Sequence, residues 1–379
     1  MNPKRKLLLT SLIAFLFVFG LILRVLFLPA NTIDMKVFNL KWYDYIVAHG
    51  IQDAMGDEFA NYTPPYLYLL SLATLTRTFI PSLTAIKLIP IIFDLFNASL
   101  VYQIVKTKFG SGIETWLAAA LVWLLPTVVI NGSFWGQVDA LYTCFLLLSL
   151  LCILNEKPIG AILAFSVSFS IKAQAVFFLP FLALLFFKQK IRWQYFLLIP
   201  LVYFLMMLPA ALAGRSLSSL ALAYVTQGGT FTQASMNAAT PYFLLPQSAY
   251  RMSLLAGIPL AGILLLIWVL YYGIKQYAIS PKLIVASALL SLALTPYLLP
   301  KMHDRYFYPA DVFSLVAVFF APELWFVPIV YQMISLLSYS PFLFSADPQA
   351  VIPIALLMNT LVLGFLLWKQ WSMVNTRVR

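Results

Sequence analysis

Apolar runs of about 18–20 residues recur from one end of this 379-residue chain to the other, each long enough to cross a hydrocarbon core of roughly 30 Å. Inside such a core the backbone must satisfy its own hydrogen bonds, so the runs predict helices. Charged residues make up 10% of the chain and hydrophobic residues 62%, against roughly 25% and 45–50% in soluble domains. So few charges could not cover a water-exposed surface. A soluble enzyme, a collagen, a disordered chain and a DNA-binding domain are all excluded. The expected fold is all-α, a polytopic transmembrane helical bundle of about 11–13 membrane segments forming a single domain over residues 1–379.

The segments lie near 7–29, 65–80, 84–105, 114–130, 139–154, 159–171, 174–187, 195–213, 252–273, 283–300, 306–321, 324–340 and 350–368. Several are short and carry Pro, as broken helices do where they line a cavity. The net charge of +11 suggests nucleic acid only until its placement is read. Fourteen of the 24 bases (Lys4, Arg5, Lys6, Lys106, Lys108, Lys157, Lys188, Lys190, Arg192, Lys275, Lys282, Lys369, Arg377 and Arg379) lie at the termini or in short connections. Lys and Arg accumulate in cytoplasmic loops, so these mark the inner side of a plasma (inner) membrane and leave no role for nucleic acid. The N-terminus is then cytoplasmic, with the first span retained. The longest polar stretches, 30–64 and 214–250, fall outside. Parity works throughout only if 65–80 is a half-depth or re-entrant helix. Cys144 and Cys152 are eight residues apart on one apolar segment, about 12 Å along a helix, too far for a disulfide.

Polar residues that survive in this setting are informative. In the first outer loop, Phe38, Trp42, Tyr45 and Ile46 recur at helical spacing ahead of Gly50, which predicts an interfacial helix with its aromatics at headgroup level. Asp34 precedes it, either as a cap or as a general base at the membrane surface. Tyr62, Thr63, Pro64 and Pro65 close the loop. Trp135, Gly136, Gln137 and Asp139 combine an aromatic face with hydrogen-bonding groups, a pattern suited to a sugar. Asp139 alone also reads as a helix cap. Lys172 and Gln174 interrupt an apolar stretch, where an ammonium is costly unless it has a task. Lys301, His303 and Arg305 could clamp an anion, Arg by forking onto phosphate. Arg24, Lys87 and Asp94 read as intramembrane pairs that hold helices together.

In order and spacing, Asp34 with Phe38 and Trp42, the run from Tyr62 to Tyr68, Trp135 to Asp139, Lys172 with Gln174, and Met302 to Tyr306 followed by Pro309 resemble the GT-C superfamily of polytopic glycosyltransferases. The likeness, over about residues 10–320, is to bacterial members similar to GPI-anchor mannosyltransferases. It implies that Asp34 is the catalytic base, that Lys172, His303 and Arg305 lie near the donor phosphate, and that Tyr62, Trp135, Gln137, Asp139 and Gln174 meet sugar or acceptor. Asn61 stands where many relatives carry an acid, so no metal and no cofactor are expected.

The resemblance further implies an inverting transfer of a sugar, with mannose as the family's choice. The donor would be a polyprenyl-phosphate-linked sugar and the acceptor a hydroxyl on a glycan, lipid or protein, on the extracytoplasmic side. The residues fit that chemistry independently. No nucleotide-binding motif is present, so an activated sugar would arrive on a membrane lipid. A lipid-linked sugar flippase or another membrane transporter is the alternative. It would use the same cations without breaking a bond.

Overall fold

The computed structural model describes residues 3–375, so Arg377 and Arg379 of the basic terminus lie outside the described residues. The chain is an all-α, multi-pass bundle. Among the described residues, seven helices are long and apolar enough to cross a membrane, one further pair does so with a 50° bend, and four shorter apolar helices join them. These match every segment marked in the sequence except 65–80.

The chain opens with α1 (Pro3–Phe27), then three short helices, α2 (Leu40–His49), α3 (Ile51–Gly56) and α4 (Pro64–Thr74). Two prolines start α4, where no backbone donor is needed. Its 11 residues reach about 16 Å, half the depth of a bilayer core. Helix α4 is thus too short to cross that core by itself. Next come α5 (Ser82–Phe109), the bent pair α6 (Ile113–Leu124) and α7 (Pro126–Val129), then α8 (Asp139–Leu154) and α9 (Pro158–Ile171). They are followed by α10 (Leu179–Phe187), α11 (Leu198–Leu212), α12 (Leu217–Gly229), the single turn α13 (Tyr250–Met252) and α14 (Ile258–Ile274). The last four are α15 (Pro281–Leu298), α16 (Tyr308–Phe320), α17 (Val327–Phe344) and α18 (Pro348–Asn375). Helix α15 is central, with 78% of its span inside the protein, whereas α1 and α11 bury 17% and turn large aliphatic side chains outward.

Buried charges fasten α1 to this frame. Arg24 pairs with Asp94 of α5 at 2.9 Å, donates to the carbonyls of Gly20 and Trp123, and lies 3.3 Å over the Trp123 ring. Each such charge is tolerable in an apolar core only because it is paired and hydrogen-bonded. Lys87 donates to the carbonyls of Phe27, Leu28 and Ala30, satisfying the end of α1 just before Asp34. Cys144 and Cys152 are both free thiols.

The basic connections gather at one end of the bundle. Lys108 reaches the Phe319 carbonyl at 2.8 Å, Lys188 the Lys275 carbonyl, and Lys190 lies 3.9 Å from Glu156. Lys282 and Lys369 share Glu323 at 2.5 and 3.2 Å. Helices α9 and α15 begin at this end and finish at the other, beside Lys172 and Lys301.

Two expectations change. Trp42 does not face headgroups: it is buried, edge-on to Tyr62 and Tyr66, which docks α2 onto α4. The stretch 214–250 is not all loop, since it contains the 13-residue α12. It also pairs Ser235–Met236 (β1) in parallel with Met302–His303 (β2).

Candidate active site

At the end away from the bases, a cavity of about 700 Å³ is lined by Asp34, Tyr62, Trp135, Gln137, Lys172, Gln174, His303, Asp304 and Arg305, with Phe38, Phe231 and Phe342 among its apolar walls. The size falls within the roughly 300–1,000 Å³ typical of small-ligand sites. Segments more than 250 residues apart in sequence meet here because each is the end of a helix or the connection after it.

Asp34 sits where α1 gives way to a wide π-helical turn, Met35–Asn39, that leads into α2. Its side chain makes no cap hydrogen bond, so the capping role does not hold. Instead Oδ2 accepts from Trp135 Nε1 at 2.9 Å and from Gln137 Nε2 at 2.6 Å. Both bonds fall on one oxygen, leaving Oδ1 unbonded among the described residues. The carboxylate is oriented from behind and open in front.

Trp135 and Gln137 thus position Asp34. Trp135 is fully buried, stacked on Phe342 and edge-on to Tyr339, so its ring faces are occupied by protein. It ends a second π-helical turn, Ile130–Trp135, and Gly136 follows in the left-handed region at φ +80°. The Gly136 carbonyl accepts from Asn39 at 3.2 Å, joining this turn to the Asp34 loop. A Cβ at 136 would lie 2.1 Å from Met35 Cε, beside Asp34. Gly136→Ala should therefore cost about 1–2 kcal/mol of backbone strain and shift Met35, visible as a lower unfolding temperature in detergent.

Asp139 does not line the cavity and makes no capping bond. It is fully buried behind the wall, ion-paired with Lys172 and accepting from Asn131 Nδ2 at 2.9 Å. Lys172 is the extended residue that breaks α9 from the turn leading to α10, and its charge is spent largely on Asp139. Thr63 donates to the Ile171 carbonyl at 2.9 Å, holding Tyr62 against the same wall. Gln174 is buried on the cavity with its Oε1 unpartnered.

Arg305 is the singular group. Its guanidinium lies 3.8 Å from Asp34, 3.6 Å from Asp139 and 3.8 Å from Asp304, with its centre 5.4 Å over the Trp135 ring. None of these contacts is a hydrogen bond, and Nε is buried without a hydrogen-bond partner among the described residues. Burial opposes the charge, but Tyr62, Asp139, Asp304 and Asp34 outweigh it and push the pKa upward, so Arg305 stays cationic. Arg305 thus lies directly against Asp34 rather than across the cavity from it.

No protein-family model, curated protein or solved structure matches this chain.

His303 differs from its expected cationic role. Burial first, then Arg305, Lys172 and Lys301, hold its pKa well below the ordinary value, so it is a neutral imidazole at physiological pH. It stands between Phe231 and Tyr306, each with ring centres 5.0 Å away. A neutral imidazole can still donate one hydrogen bond to an oxyanion. Lys301 turns away and donates to the Gly228 carbonyl at 2.5 Å, at the C-terminal end of α12. Asp304, outside the expected site, has its pKa raised to about 7 by burial, against the pull of Arg305 and with help from Asp34 and Asp139. Its signal was present in the sequence, as an acid between His303 and Arg305.

Proposed function

We propose that this chain is an integral-membrane, inverting glycosyltransferase of the GT-C kind, which moves a sugar from a polyprenyl-phosphate carrier to an acceptor hydroxyl. The observation that supports this most is Arg305: a half-buried guanidinium with no side-chain hydrogen bond among the described residues, 3.8 Å from the open carboxylate of Asp34. A base and an unsatisfied phosphate-binding cation in one cavity are the two parts that glycosyl transfer from a phosphate needs.

In this reading Asp34 Oδ1 takes the proton of the acceptor hydroxyl as its oxygen attacks the anomeric carbon. The bond from that carbon to the phosphate oxygen breaks, and its electron pair leaves with the polyprenyl phosphate. A single displacement inverts the anomeric centre. Arg305 exchanges its long carboxylate contacts for phosphate hydrogen bonds, with His303 donating beside it. Asp139 keeps Lys172 in place, and Gln174 and Tyr62 offer hydrogen bonds to the sugar. The apolar walls, Phe38, Val37, Phe231 and Leu245, suit the start of an isoprenoid tail. The basic end of the bundle faces the cytoplasm of the plasma membrane under the positive-inside rule, which turns the cavity to the extracytoplasmic side. The resemblance favours mannose.

Incubation of the purified chain in detergent with a panel of polyprenyl-phosphate sugars tests the proposal. An enzyme forms product without a sealed vesicle, whereas a flippase or transporter forms none.

Asp304 adds a pH dependence. Below about pH 7 its carboxyl is protonated and leaves Arg305 to the donor, while above that it ionises and competes. Donor KM should rise as pH increases through 7, and Asp304→Asn should flatten the rise. An unchanged KM profile in that variant would remove Asp304 from donor binding.

A further inference from the structure

A second cavity of about 290 Å³ adjoins the first and shares Asn61, Tyr62, Gln227 and Thr230 with it. Its character differs. The main cavity has several aromatic and aliphatic walls, whereas this one is lined mostly by amides, hydroxyls and charges, among them Glu58, Arg215 and Ser219.

Arg215 is the reason to read it as a site. It follows α11 and precedes α12, and only 7% of it is exposed. Arg24, Lys172 and Arg305 each lie against a carboxylate, but Arg215 has no ion pair among the described residues. Its one side-chain hydrogen bond runs from Nε to Ser219 Oγ at 3.3 Å, and Nη1 is buried with no partner. Burial lowers its pKa from the ordinary value, with Glu58 pulling the other way. A guanidinium taken out of water and left short of acceptors is costly unless a ligand supplies them. Nothing in the transfer chemistry assigned to Asp34 and Arg305 uses it.

We propose that this cavity is the acceptor subsite and that the acceptor carries an oxyanion, a phosphate or carboxylate, which Arg215 holds. The inference rests on the glycosyl-transfer reading and divides the substrates by polarity. The lipid-linked donor takes the larger, more apolar cavity, and a hydrophilic, anionic acceptor enters from the polar one past Asn61 and Tyr62.

Two probes separate the possible sources of the anion: glycerol phosphate, small and hydrophilic, and farnesyl phosphate, which mimics the donor headgroup. Binding of each to the purified full chain is measured calorimetrically in detergent, with no transfer required. Arg215→Gln should weaken glycerol phosphate roughly tenfold or more while leaving farnesyl phosphate within about twofold. Ala223→Phe, which fills the cavity but keeps the charge, should do the same. Its unfolding transition shows whether the fold is intact. Arg305→Ala should give the opposite pattern. The proposal is overturned if wild-type protein does not bind glycerol phosphate, if both cavity variants bind it normally, or if Arg215→Gln loses farnesyl phosphate equally. The last result would make Arg215 a donor-phosphate ligand. Arg215-dependent binding in a protein that transfers no sugar would instead sink the transfer reading and leave the anion site standing.

Discussion

Asp34→Asn should lower sugar transfer by roughly 10²–10⁴-fold, the usual contribution of a positioned general base. Asn keeps the acceptor for Trp135 Nε1 and Gln137 Nε2, which bond at 2.9 and 2.6 Å, so the loop should stay folded and the cavity intact. What is lost is an oxygen able to take a proton. Farnesyl phosphate binding should therefore be preserved while turnover collapses. Normal turnover by this variant would reassign the base, and Asp304 would inherit the role, because it faces the same cavity and is poised near neutrality. Asp139 would not, since it is sealed behind Lys172.

The second large effect belongs to Arg305. Its removal should lower kcat by about 10²–10³-fold, as for the loss of one preorganised donor at a developing charge, and should raise donor KM while acceptor KM stays near its wild-type value. Ala at 305 also leaves Asp34, Asp139 and Asp304 facing one another with a single cation, Lys172, among them. Part of its effect would therefore be on stability, and the cleaner variant is Arg305→Lys. That substitution keeps a positive charge near the three carboxylates but loses the fork that spans two phosphate oxygens. It should fold like wild type and still show the donor-specific KM defect. A defect confined to acceptor saturation would place the donor phosphate elsewhere.

Much of the bundle was legible in the sequence, because hydropathy over 18 residues is a strong signal and helix breaks fall at Pro and Gly. The Pro64-Pro65 start of α4 and its short run of apolar residues marked a helix too short to span before any coordinate. The motif residues were legible as a set for a related reason. A polar side chain at the end of an apolar helix has few places to go, and Asp34, Tyr62, Lys172 and His303 all end in one cavity. Their individual tasks were not legible. Asp139 pairs with Lys172 through the packing of α8 on α9, and no spacing rule states that two residues 33 apart will neutralise each other. The neutral state of His303 comes from burial and from Arg305, Lys172 and Lys301 around it, whereas the linear motif presents Lys301, His303 and Arg305 as one clamp. Helix α12 was hidden because its outward face needs no strong periodicity. Arg215 was hidden because a lone Arg beyond a membrane span ordinarily reads as a charge at the water interface.

The fastening of α1 has a consequence for how the protein lives with its lipid. Most of the surface of helix α1 faces away from the rest of the protein, so changes in bilayer thickness should tilt it before the inner helices. Yet Lys87 grips the carbonyls of Phe27, Leu28 and Ala30, and Arg24 locks the same stretch to α5, so Asp34 takes its height from the inner helices. The Asp34 carboxylate should therefore keep its depth across membranes of differing composition.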